Sequence, residues 1–152
     1  MAGRANARDV SVALVDPAAT FASTPCNRWL GLRLVLRTPE RVVVELPVRT
    51  DLLQEEGVVQ GGILTALADT TAVWLLWPDL GPTRAMTGID CSMQFLAAGR
   101  AGGGPLVATA TPLRVGGTIA VAETVVEQDG RRIAKGTFTF LLRERRTAGK
   151  NP

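Results

Sequence analysis

The hydrophobic positions change their spacing twice along the chain. Over residues 32–36 and 41–48, leucines and β-branched residues crowd together on either side of Thr38, Pro39 and Glu40, a turn-forming set. This pattern predicts two strands joined as a hairpin. Residues 57–78, GVVQGGILTALADTTAVWLLWP, read differently: apolar side chains lie nearly all round, and Asp69 is the single ionisable residue. A helix of that kind belongs inside a protein, wrapped on most sides. Strand-like runs then return at 85–95, 106–114, 118–128 and 132–142. Gly116-Gly117 and Asp129-Gly130 separate the last three, and both pairs suit tight hairpins whose central residues take positive φ. The glycine-rich stretch 99–104 reads as a loop, residues 17–23 (PAATFAS) as a short helix, and no internal repeat is visible.

The order is therefore two strands, one long helix and four strands, with hairpin connections that argue for an antiparallel sheet. This is an α+β arrangement. One helix covers one sheet face, so the other stays open unless the sheet curls or subunits join, and an oligomer is expected. The 57–78 segment approaches the ~20 residues of a membrane span, but a central Asp costs ~2.5 to 3.5 kcal/mol there. Gln60, Thr65, Thr70 and Thr71 dilute its hydrophobicity further. No membrane partner is expected.

Composition narrows the chemistry. The 152 residues suit one domain, and 46% of them are hydrophobic, enough for a sizeable core. Histidine is absent, which removes the Ser-His-Asp triad, the Cys-His dyad and His-ligated zinc. Tyrosine is absent and aromatics are 5%, so nucleic acid is not an expected partner. The net charge of +3 comes largely from Arg143, Arg145, Arg146 and Lys150, which read as a solvated tail, with anion, RNA or membrane association as a distant alternative. Cys26 and Cys91 stand far apart and outside any CxxC spacing, so neither a disulfide framework nor a metal is indicated. The N-terminal stretch has no signal-peptide core, and a cytoplasmic location is expected.

A lone carboxylate in so apolar a helix calls for a reason. Asp69 either faces a subunit interface or a backbone group, or it serves as general base or nucleophile in a dry cleft. Gly61 and Gly62 open the same helix, where uncovered N–H groups at the positive end of the dipole can receive an oxyanion, although such a pair also serves close packing. The two features are 8 residues apart, or about 12 Å along one helix. If both act on one carbonyl, Asp69 must meet the Gly61 of a second subunit across a two-fold axis.

The run Val59-Gln60-Gly61-Gly62-Ile63-Leu64-Thr65-Ala66-Leu67-Ala68-Asp69 resembles the HGG-x-x-x-x-L-A-D signature of hotdog-fold acyl-CoA thioesterases of the phenylacetate-pathway, or PaaI-like, type. The resemblance implies a hotdog fold, with one long central helix wrapped by an antiparallel sheet of about six strands, over residues 27–142. Residues 1–26 would be an N-terminal extension and 143–152 a basic tail. It implies that Asp69 is the catalytic carboxylate, that the Gly61 N–H polarises the thioester carbonyl, and that Gln54 helps to place water or substrate. Gln60 and Gly62 flank the substrate. Thr87, or Gly88 with a shift of one residue, falls where some members hold the nucleophilic water. The segment Arg114-Val115-Gly116-Gly117-Thr118 resembles the hairpin that contacts the nucleotide, through Arg114, Gly116 and Gly117. Arg100, Arg131 and Arg132 are further candidates for the phosphates.

The implied substrate is an acyl-CoA, with coenzyme A as part of it and no separate cofactor. The implied assembly is a homodimer or a dimer of dimers. Trp74 and Trp77 either line an acyl pocket or belong to the core. One departure stands out, because Gln60 occupies the family's usual histidine position; an amide can hydrogen-bond but cannot titrate. That substitution keeps a second reading open, a non-catalytic hotdog module that binds acyl-CoA or a protein partner. Dehydratase and hydratase activities need the missing histidine and drop out.

Overall fold

A computed structural model describes residues 16–145 of the chain. The extreme N-terminal stretch and the tail residues Arg146 and Lys150 lie outside the described residues. Two short helices, α1 (Pro17–Ser23) and α2 (Pro25–Leu30), lead into β1 (Arg33–Arg37) and β2 (Val42–Leu46). The long helix α3 (Gly61–Leu76) follows, then β3 (Arg84–Phe95), β4 (Leu106–Val115), β5 (Ile119–Gln128) and β6 (Arg131–Glu144). The strands form one sheet in the order β1-β2-β4-β5-β6-β3, antiparallel throughout. Helix α3 lies across its inner face, and the sheet curls around it as a hotdog.

The inner face explains how the helix fits. Strands β4 and β5 turn Ala108, Ala110, Ala120 and Ala122 inward, all fully buried. Small side chains under the helix axis let it settle close to the sheet. Leu64, Leu67, Ala68, Thr71, Ala72 and Leu75 are the buried positions that meet them, spaced three and four apart as one helical face requires. Phe138 and Phe140 of β6, both buried, join the same core. Phe21 of α1 is 1% exposed and meets Trp74 edge-to-face at 5.0 Å, so residues before 27 share this core. Trp74 therefore belongs to the core.

The structure differs from the sequence expectations in a few places. Gly116 and Gly117 do not take positive φ, whereas Asp129 (φ 50°) and Gly130 (φ 75°) do. The β4–β5 connection is instead a three-residue turn closed by the Gly116 N–H donating to the Ile119 carbonyl at 2.9 Å. A Cβ on Gly116 would stand 3.0 Å from that oxygen, so close approach, not φ, calls for glycine there. Strand β2 stops at Leu46, because Pro47 has no N–H for the ladder. Strand β6 runs on to Glu144, so Arg143 belongs to the sheet and not to the tail. Helix α2 has no counterpart among the expected elements; Pro25 opens it, and Gly31 at φ 79° closes it. Among the described residues no helix is long and apolar enough to cross a membrane.

Candidate active site

Helix α3 presents two features outward, its N-terminus and Asp69. The sheet covers one side of the helix, and the uncovered stripe runs through Gly62, Ala66, Asp69 and Val73, with Gly62 and Asp69 exposed and the other two half-buried. The expectation of a helix wrapped on most sides fails along this stripe. One chain supplies one sheet, and a sheet covers one flank.

Asp69 remains the only charge on α3. Its carboxylate makes no ion pair or hydrogen bond among the described residues. Desolvation by the surrounding protein nevertheless pushes its pKa above the ordinary value of 3.8. The direction fixes a stability effect. A carboxyl group whose pKa is raised by folding opposes the folded state once it ionises, fully above the raised value and not at all below 3.8. Asp69→Asn is therefore expected to melt no lower than the parent at neutral pH, with any gain vanishing as pH falls below the ordinary carboxylate range. Thermal scans at neutral and acid pH check this.

The helix N-terminus is assembled by a clamp of backbone bonds. Gln54, Gln60, Gly61 and Gly62 come together because Leu53 bridges Val59 and the Gln60 N–H donates to the Leu52 carbonyl at 3.0 Å. Behind them, the Val59 N–H donates to the Gly99 carbonyl at 2.8 Å, and Val58 bridges Arg100. Gln128, only 7% exposed, grips both backbone groups of Arg100, accepting at 2.9 Å and donating at 2.8 Å. The glycine-rich loop is thus a strut. Sequence reasoning missed Gln128, which gave no signal beyond its place beside the Asp129-Gly130 turn.

Gln60 caps the helix. Its Oε1 accepts from the Ile63 N–H at 3.2 Å, which leaves the first two N–H groups, those of Gly61 and Gly62, pointing out of the helix without intrahelical acceptors. A Cβ on Gly62 would stand 2.7 Å from that Oε1, so glycine at 62 makes room for the cap. Its Nε2 stays available as a donor beside the same N–H groups. Gln54 turns its own Oε1 into its loop, accepting from the Glu56 N–H. The exposed ring of Phe95, at the end of β3, stands over Gly61, 3.4 Å from where a Cβ would be.

The other expected residues lie elsewhere in the same chain. The β4–β5 hairpin with Arg114, Gly116 and Gly117 sits at the opposite end of β5 from the Asp129-Gly130 turn, about 30 Å away over a strand of this length. Arg84, at the start of β3, donates to the Gly117 carbonyl. Thr87 is in register with Leu141, on the sheet face turned away from α3. A water-holding role toward Asp69 is not available to it in this chain. Gly88 pairs with Phe140 on the inner face, followed by a bulge at Ile89. The bulge explains why a shift of one residue mattered: it reverses the inward and outward alternation.

Two open depressions in the surface, of about 410 and 270 Å³, are lined by residues such as Arg28, Arg33 and Arg49, and Leu34, Val35 and Arg37. Neither reaches Gly61 or Asp69. Among the described residues no group of three or more potential metal ligands comes together. What the site holds is an unpaired carboxylate, and about 12 Å along the helix a pair of open N–H groups.

A model of the thioesterase superfamily matches residues 56–135, which span α3 and most of the sheet. No curated protein sequence matches the chain. Among solved structures, AziG of S. sahachiroi is 30% identical, with a TM-score of 0.74 over 78% of this chain and 95% of that one. A mutant of the phenylacetic acid degradation protein PaaI from Thermus thermophilus is 28% identical, with a TM-score of 0.71 over 78% and 98%. A thioesterase from Haemophilus influenzae shares the fold at 22% identity and a TM-score of 0.77 over 85% and 90%. With more than half of the chain under the family model and the Gly61-Gly62 to Asp69 spacing carried on its central helix, the chain belongs to the thioesterase superfamily as a PaaI-like hotdog protein.

Proposed function

We propose that the protein hydrolyses acyl-CoA thioesters as a homodimer, each site joining Gly61 of one subunit to Asp69 of the other. The carrying observation is the separation within α3: one chain holds both the carboxylate and the N–H pair, too far apart to meet on one carbonyl. A two-fold axis removes that difficulty. Strand β3 ends the sheet as a twelve-residue edge, long and without the prolines or lysines that blunt edges. Antiparallel pairing of this edge with its copy sets the start of one β3, with Arg84, Gly88 and the Gly116-Gly117 hairpin, beside the end of the other, where Phe95 meets Gly61. The same pairing faces the two uncovered helix stripes toward each other.

In this assembly the thioester carbonyl oxygen lies at the N–H groups of Gly61 and Gly62, with the Gln60 Nε2 as a further donor. Asp69 of the other subunit takes a proton from water as the water oxygen attacks the carbonyl carbon, or attacks that carbon itself. The oxyanion that forms is held at the helix N-terminus, where the dipole favours negative charge. The C–S bond then breaks, and the sulfur leaves as CoA thiolate and is protonated to the thiol. The remaining product is the free acid, formed at once when water attacks, or by water hydrolysing the Asp69–acyl anhydride when the carboxylate attacks. Arg114 with the hairpin glycines reaches the CoA phosphates from the surface. Pairing two such dimers into a tetramer fits the exposed apolar residues Leu113 and Val115, 57% and 62% exposed.

The test is free-thiol release from acetyl-, hexanoyl-, palmitoyl- and phenylacetyl-CoA, with Asp69→Asn beside the parent. Release that depends on Asp69 supports the reading. Saturable binding without release favours the second reading, a non-catalytic acyl-CoA-binding module, for which Gln60 at the family's histidine position is the specific observation.

A further inference from the structure

Helix α3 is apolar on nearly every side, and apolar packing is non-directional. Such contacts hold a helix against a sheet more firmly than they fix its rotation about its own axis. Fixed rotation matters here, because Asp69 projects from the uncovered stripe. Few polar ties reach the helix backbone from the sheet among the described residues. One comes from Arg37, whose Nε donates to the Trp74 carbonyl at 3.3 Å near the far end. The other comes from Thr124 of β5, whose hydroxyl donates to the Ala68 carbonyl at 3.2 Å. Thr124 is fully buried, and Ala68 is the residue immediately before Asp69.

The setting makes this bond specific. Ala120, Ala122, Thr124 and Val126 of β5 point inward, all fully buried, and Thr124 is the polar one of these four; Gln128, at the end of the strand, is taken up by Arg100. It stands in register with Ala110 on one side and Gly136 on the other, so small neighbours leave its hydroxyl free to reach the helix. Thr71, also buried, bonds back to the Leu67 carbonyl at 2.7 Å and does not compete for Ala68. Nothing in the apolar core needs a hydroxyl at 124 for packing, since valine has the same shape.

We infer that Thr124 is a positioning residue that sets the rotation of α3 and thereby the aim of the Asp69 carboxylate. The inference rests on the catalytic reading of Asp69. With a backbone radius of about 2.3 Å, the carboxylate stands roughly 5 Å from the helix axis, so a rotation of about 10° displaces it by about 1 Å. Displacements of that size, caused by changes remote from the reacting atoms, lower turnover by as much as about 100-fold.

The experiment compares Thr124→Val, Thr124→Ser and Asp69→Asn with the parent dimer, reading kcat and KM from thiol release on the best substrate of the acyl-CoA series, together with thermal melting. Thr124→Val is expected to lower kcat by roughly 10- to 100-fold with KM within about 2-fold, while Thr124→Ser, which keeps the hydroxyl, restores most of the kcat. Adding Thr124→Val to Asp69→Asn is expected to give no further loss, because the residue acts through the carboxylate. A merely structural threonine would lower melting in step with activity and add its loss to that of Asp69→Asn. If Thr124→Val does not fold, Thr124→Ala decides, since it also lacks the hydroxyl and predicts the same drop in kcat with KM within about 2-fold. Parent-like kcat in the folded variant that lacks the hydroxyl, with Asp69→Asn inactive, overturns this inference alone. Parent-like turnover in Asp69→Asn overturns the catalytic reading and takes this inference with it.

Discussion

Asp69→Asn is expected to reduce thioester hydrolysis by about 10³-fold while the protein stays folded. The amide keeps the shape of the side chain but neither accepts a proton from water nor attacks a carbonyl, and positioned acid-base groups contribute about 10²- to 10⁴-fold. No other residue of α3 takes over, because Asp69 is its only charge. The chain also lacks histidine altogether, so no neutral-pH base waits nearby. Folding should survive, since the side chain is exposed in the single chain and its raised pKa means that ionisation opposes folding. A loss of activity with an unchanged or higher melting temperature separates a chemical role from a structural one. Thiol release and thermal melting on the same sample provide both numbers.

Gly61→Val should give the second-largest loss, about 10²- to 10³-fold, the range measured when one oxyanion donor is removed. The N–H itself survives the substitution. The branched side chain shields it, and a Cβ at 61 already stands 3.4 Å from the Phe95 ring, so the added methyl groups must displace that ring across the mouth of the site. Gly61→Ala places only the Cβ, in ordinary contact with the ring, and is expected to lose much less. A graded series of Gly, Ala and Val would show access to the N–H groups as the limiting factor. Equal losses for Ala and Val would point to backbone conformation instead.

How much of this was legible beforehand varies with the physics behind each feature. The strands and α3 were readable because turn chemistry at Thr38-Pro39-Glu40 and Asp129-Gly130 and the switch to an all-apolar run mark their limits locally. Helix α2 escaped because six residues hold too few turns for a helical period. The Gly61-Gly62 to Asp69 spacing was visible as a motif, and its length alone argued for a second subunit. The partial exposure of Asp69 was not visible, because one chain's sequence does not say which helix flank its own sheet leaves open. The choice between Thr87 and Gly88 stayed open in the sequence because the bulge at Ile89 is a break in alternation with no local signal. Thr124 was hidden for a related reason: the outward positions Val121 and Val125 of β5 are apolar like the inward ones, so the strand shows no clean alternation to single out one inward hydroxyl. Gln60 looked like a lost histidine and proves to be a helix cap, a role that an amide performs without titrating.

The most direct measurement of catalysis across the subunit boundary is complementation between two inactive chains. Asp69→Asn and Gly61→Val proteins are unfolded together, refolded as an equal mixture, and assayed for thiol release against each variant refolded alone. If the two groups come from different subunits, every mixed dimer holds one site with both mutations and one with neither. Half of the dimers are mixed, so activity should return to about a quarter of the parent's. A mixture no more active than the separate variants, with mixed dimers shown to form, would contradict cross-subunit catalysis and place Asp69 and Gly61 in different roles.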